Sequence, residues 1–166
     1  KECDYMGISL IPPNINLSDY VFSVTKDNKI IYGLGSIKGV GKAIIEIIIE
    51  ERKKNGEFVS LDNLLSRCGT NKINKRVIEA LIKSGSFDIF GETRSSLMSS
   101  YPESMKMADQ NSKNISQGQI DIFGFSEEDS KKIHTRKKDE WPTIKKLSFE
   151  RDVLGFYLTG HPITEY

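Results

Sequence analysis

Cysteine and histidine are almost missing from this 166-residue chain, and the few present stand far apart. Cys3 and Cys68 match no metal-binding or redox spacing, so they read as two reduced thiols in the core of a cytoplasmic protein. His134 and His161 have no partner at metal-ligand spacing and receive no role. Long apolar runs are missing too, and nothing approaches the roughly 20 residues of a membrane span. Nor is there a surplus of one charge. With 24 basic and 23 acidic residues the net charge is +1, so any contact with nucleic acid has to come from local placement of charge. The chain opens Lys-Glu-Cys-Asp, neither an initiator methionine nor a signal peptide, and reads as a piece of something larger. Its length suffices for one ordinary domain plus some extra.

What is present is mainly helical patterning. Residues 1–8 read as the end of a helix, and Pro12-Pro13 enforces an extended segment. Tyr20–Val24 alternates in strand formers, Lys26–Lys29 is turn chemistry and Ile30–Tyr32 runs back, which predicts a β-hairpin. Helical spacing then predicts a helix over about 41–54 with Ala43, Ile44, Ile47 and Ile48 inward, ended by Gly56. A second helix follows Ser60 with Leu61, Leu64, Leu65 and Cys68 on one face. A third follows Asn74 with Val77, Ile78, Leu81 and Ile82. A fourth starts near Thr93, and Pro102 is expected to kink or restart it. From about 109 to 140 the composition is that of polar, disordered linkers, broken by the apolar island Gln119–Phe123. A last helix is predicted over 143–154; residues 141–166 alone bury too little apolar surface and suggest a neighbouring domain.

The stretch richest in possible chemistry is Ile37-Lys38-Gly39-Val40-Gly41-Lys42. Two glycines let the backbone turn tightly, and the helix that follows offers unpaired N–H groups and a positive dipole end, a setting for a phosphate. A nucleotide P-loop is excluded by two departures from G-x-x-x-x-G-K-S/T: Ser36 replaces the first glycine and Ala43 replaces the magnesium-binding hydroxyl. A dinucleotide fold wants a third glycine where Ile44 stands. A helix-hairpin-helix turn, whose amides hold one DNA phosphate without reading bases, fits better. Lys83-Ser84-Gly85-Ser86-Phe87 offers a possible second copy, with Lys83 in the place of Lys38. Both turns could equally be plain connectors between helices.

Four separated blocks, beginning at Pro12, Asn74, Gly118 and Leu154 and ending in Leu-Thr-Gly-His-Pro, resemble the family of bacterial replicative DNA polymerase III alpha subunits. The resemblance spans nearly all of the chain except 124–140. It implies the end of the fingers region over 1–36, a tandem helix-hairpin-helix module over 37–108, a flexible linker over 109–140, and a helix with the start of an OB-fold domain over 141–166. It implies a DNA-directed DNA polymerase whose magnesium-binding aspartates lie upstream, so that this stretch alone is inactive and carries no cofactor. The residues it assigns to the backbone of duplex DNA are Lys38, Gly39, Val40, Gly41 and Lys42 in the first turn. In the second they are Lys83, Ser84, Gly85, Ser86 and Phe87, with Arg76 and Arg94 as further phosphate contacts. It also implies that Gln119, Ile120, Asp121, Ile122 and Phe123 bind the beta sliding clamp. Gln119 can hydrogen bond at a pocket mouth, while Ile122 and Phe123 can each bury about 2 kcal/mol of apolar surface. Other domains and subunits of the polymerase are the remaining expected partners. A protein-interaction scaffold that does not bind DNA is the alternative, favoured by the near-neutral charge.

Overall fold

The computed structural model describes residues 6–118, 137–161 and 163. The predicted helix end before residue 9 lies partly outside these, and Met6-Gly7 forms a turn. Three two-residue strands follow: β1 (Leu10–Ile11), β2 (Ser23–Val24) and β3 (Ile30–Ile31). β3 lies between the others, parallel to β1 with Leu10 opposite Ile30, and antiparallel to β2 with Ser23 opposite Ile31. The hairpin is therefore as predicted but shorter, because the Tyr20–Phe22 backbone serves another purpose. The carbonyls of Asp19 and Tyr20 accept from the N–H groups of Leu34 and Gly35 at 2.8 and 2.9 Å. A Cβ on Gly33 would stand 2.5 Å from the Val21 carbonyl carbon, and one on Gly35 2.7 Å from Tyr20. Those two glycines are required by backbone proximity.

A 3-10 turn, Leu34–Ser36, leads into the glycine turn and then α1 (Lys42–Asn55). Ile45 and Ile48 are its buried residues, whereas Ala43, expected inside, is exposed. Five isoleucines among six positions blurred the stripe in sequence. Arg52 crosses back to the carbonyls of Ile15 and Ser18, both at 2.9 Å, which fixes the N-terminal segment on α1. The helices α2 (Leu61–Cys68) and α3 (Lys75–Ser84) bury the faces predicted for them. Burial pushes the Cys68 thiol up to about 11, which makes it inert.

α4 (Arg94–Ser116) runs unbroken through Pro102 and past residue 109, where a linker was expected. Leu97 and Tyr101 seat its first half in the core, with Met105 and Ala108 packed beside them. Beyond, an Asp109–Lys113 pair at helical spacing (2.8 Å) supports an exposed end, so polar composition there marks a solvated helix. The last helix, α5 (Thr143–Leu154), buries Leu147, Glu150, Val153 and Leu154. It packs on α3. Ile15, Leu34, Ile45, Leu64, Leu81, Phe87 and Leu154 all belong to one apolar core. No described helix is long and apolar enough to cross a membrane.

Candidate nucleic-acid interface

The glycine turn is pinned by two apolar side chains. Ile37 and Val40 are buried, and Lys38, Gly39, Gly41 and Lys42 are left at the surface between and beside them. Gly39 has φ 93°, a left-handed conformation that side-chain-bearing residues avoid. Gly41 has ordinary extended angles, and a Cβ there would meet nothing within 4 Å, so the fold itself would accept another residue. Val40 contributes an anchor rather than a donor, since its N–H is taken by the Ile37 carbonyl at 3.3 Å.

α1 starts at this turn without a side-chain cap. Its first backbone bond is from Ile45 N–H to the Gly41 carbonyl (3.2 Å); among the described residues no group accepts from the N–H of Gly39, Gly41, Lys42 or Ala43. The next three helices differ: Ser60, Asn74 and Thr93 each accept from the backbone three residues on. α5 also lacks a side-chain cap, but there Glu140 takes the Trp141 N–H and brings negative charge. At α1 the surrounding charge is positive. Lys38, Lys42 and Arg76 are exposed, and the Arg76 side chain lies against Gly39, its Nε 3.6 Å from where a Cβ would be. Lys42 pairs with Glu46 at 3.7 Å, an exposed contact worth under about 1 kcal/mol that an anion can displace.

The expected second turn is not at the surface. Ser84, Gly85, Ser86 and Phe87 are buried. The Gly85 and Ser86 amides close the end of α3 on the carbonyls of Ile82 and Leu81, and the Ser84 and Ser86 hydroxyls bond each other at 2.7 Å. Lys83 holds its ammonium over the Phe149 ring, 5.0 Å from the centroid. Arg94, expected as a phosphate contact, is 1% exposed. It bonds both oxygens of Asp88 (3.0 and 2.8 Å), Glu150 (2.9 Å) and the Lys83 carbonyl (3.3 Å). Burial alone would lower its basicity, but the two carboxylates outweigh this and raise it. A Cβ on Gly85 would lie 2.3 Å from this guanidinium. Gly85 therefore leaves room for Arg94, and the turn at Lys83–Phe87 is a capped helix end under α5. The sequence could not show that α5 folds back over it.

The structural counterpart of the first turn is the α2–α3 connection, Gly69–Asn74. Val40 and Ile73 are equivalent buried anchors, Gly41 and Asn74 equivalent cap positions, and Lys42 and Lys75 equivalent first helical residues. Ile45 and Ile48 correspond to Ile78 and Leu81, all fully buried. The same offset thus relates the two turn–helix units throughout. Lys72 and Lys75, exposed here, were missed because this copy has Lys72-Ile73-Asn74 instead of G-x-G; the repeated anchor spacing was the available signal. Arg76, on the second unit, lies against Gly39 of the first, so the two units meet at the first turn.

Two turn–helix units related by one offset and sharing a core define a helix-hairpin-helix protein. The helix-hairpin-helix motif family matches residues 7–97, and the chain belongs to it. More particularly, the chain is 46% identical over 99% of its length to DNA polymerase III subunit alpha of Escherichia coli K12. The same subunit of Vibrio cholerae is 41% identical over 99% of the chain, and that of Buchnera aphidicola 41% over 97%. The chain spans 14% of the length of these curated relatives. The expected clamp-binding residues Gln119, Ile120, Asp121, Ile122 and Phe123 lie outside the described residues.

Proposed function

We propose that this chain holds the sugar-phosphate backbone of duplex DNA as part of a cytoplasmic replicative DNA polymerase. The observation that carries this is the uncapped start of α1, where free amides are ringed by exposed Lys38, Lys42 and Arg76. A phosphate oxygen supplies the acceptors that Ser, Asn and Thr supply at the next three helices. The α2–α3 turn adds Lys72 and Lys75 for a second phosphate. Such contacts carry no base information, which suits a polymerase that has to hold any sequence. Nucleotidyl transfer and its magnesium ions belong to other parts of the polymerase chain, and this stretch is a holding element.

Duplex DNA binding, followed by fluorescence anisotropy, tests this. The expected result is weak binding without base preference, with affinity falling steeply as salt rises. Lys38→Glu combined with Gly39→Pro should remove it. Binding that is absent at low salt, or unaltered by that pair, would instead support the scaffold reading.

A further inference from the structure

Arg94 and Glu150 are 1% and 0% exposed and 2.9 Å apart, a buried ion pair outside the DNA-facing surface. An apolar pair of similar volume would be at least as stabilising, so a buried ion pair is better understood through what it positions. The Glu150 carboxylate also accepts from the N–H groups of Leu158 (2.9 Å) and Thr159 (3.0 Å) and from the Thr159 hydroxyl (2.9 Å). One residue thereby fixes both α5 and the chain after it to the N-terminus of α4.

One turn further along, α5 ends with carbonyls that its own ladder leaves unpaired. The Val153 carbonyl accepts from the Lys38 N–H at 2.8 Å. The Leu154 carbonyl is reached by the Tyr32 hydroxyl at 3.5 Å, which also lies 3.4 Å from the Ser36 carbonyl. Phe156 packs on the Tyr32 ring, centroids 5.8 Å apart. The end of α5 is thus bonded directly to the residue before Gly39.

From this we infer that Arg94 and Glu150 are positioning residues for the phosphate-binding turn, acting through the Val153–Lys38 hydrogen bond. The inference rests on the reading of that turn as a phosphate site. With α5 seated, the Lys38 N–H is held inward while its side chain stays at the surface, and the turn is ordered before DNA arrives. A site ordered in advance binds with less entropic loss. With α5 released, Ile37 and Val40 still anchor the turn, but Lys38 loses its backbone partner.

The test uses the full 166-residue chain, a fluorescein-labelled duplex for anisotropy, and amide hydrogen exchange at Lys38. Glu150→Gln keeps an oxygen for Arg94 but sets an amide NH₂ against the donors of Leu158 and Thr159. The expected result is a Kd about tenfold higher, with a salt slope shallower by about one. Lys38 exchange should quicken about tenfold while Leu81 and Ile82 in α3 stay protected. Unchanged Lys38 exchange overturns the proposal, whatever the DNA affinity does. So does faster Lys38 exchange with unchanged affinity for a duplex that the wild type binds. If protection at Leu81 and Ile82 is lost as well, the near-isosteric Tyr32→Phe decides: Lys38 exchange and Kd should rise about two- to threefold, and no change overturns the proposal. If the wild-type chain binds no duplex, the phosphate reading fails on its own and overturns the DNA-positioning role with it, while Lys38 exchange separately shows whether the bond to α5 exists.

Discussion

Gly41 stands where Ser60, Asn74 and Thr93 stand in the next three helices, and it is the one of the four that cannot cap. Its backbone is in the extended region that capping residues adopt, and nothing crowds its missing side chain. Gly41→Asp should therefore stabilise the protein, by a few tenths to about 1 kcal/mol, through a cap and a favourable charge at the helix dipole. The same change fills the proposed phosphate site and places a carboxylate in it, so duplex binding should fall at least tenfold while the melting temperature rises. Thermal melts and anisotropy on one preparation check both halves; a variant that gains stability and still binds DNA would show that the amides are not the site. Arg94 makes the opposite point. An arginine near a glycine turn resembles a phosphate contact in sequence, yet two carboxylates on other elements claim it.

Among the elements, α5 carries the clearest pH dependence. Burial raises the pKa of the Glu150 carboxyl, but hydrogen bonds from Thr159, Leu158 and Arg94 outweigh it, so the group titrates below its ordinary value. At Glu140, burial likewise raises and the N–H groups of Trp141, Arg94 and Ser95 lower, again with a net depression. A carboxylate held below its unfolded value stabilises the docked state above about pH 4.3 and loses that contribution as pH falls through its folded value. Docking of α5 should therefore hold from neutrality to about pH 5 and weaken below about pH 4. The sole tryptophan, Trp141, packs edge-on to Phe149 of α5 at 4.7 Å, so its emission reports the change. Emission that shifts on the alkaline side instead would contradict this assignment. α4 shows how composition misleads at this scale. Beyond residue 109 its polar composition predicts a linker, but a helix already nucleated by Leu97 and Tyr101 continues through solvent with little apolar support.

For the whole molecule, a net charge of +1 means that the proposed attraction to DNA depends on one face and not on the total. Contacts of this kind are weak singly, and a second attachment would raise the effective concentration of each. The proposed second attachment is Gln119–Phe123 on the sliding clamp. Gln119→Ala with Phe123→Ala should abolish clamp binding in surface plasmon resonance and leave duplex affinity and helicity unchanged. A double variant that binds the clamp normally removes that assignment.

The sequence by itself determined where the helices start, the caps of α2 and α3, and the first turn. Each of these depends on residues within a few positions of one another: the Ser60 and Asn74 caps, the Leu61–Cys68 stripe, and the Gly39-Val40-Gly41 run ahead of a helix. The tertiary structure alone decided which of two similar glycine turns faces solvent. It buried Ser84–Phe87 under α5 through Arg94 and Glu150, 56 residues apart in the chain, and it brought Arg76 beside Gly39. The reason is physical. Capping and periodicity are local, whereas whether a turn meets water or protein depends on where a distant helix comes to rest.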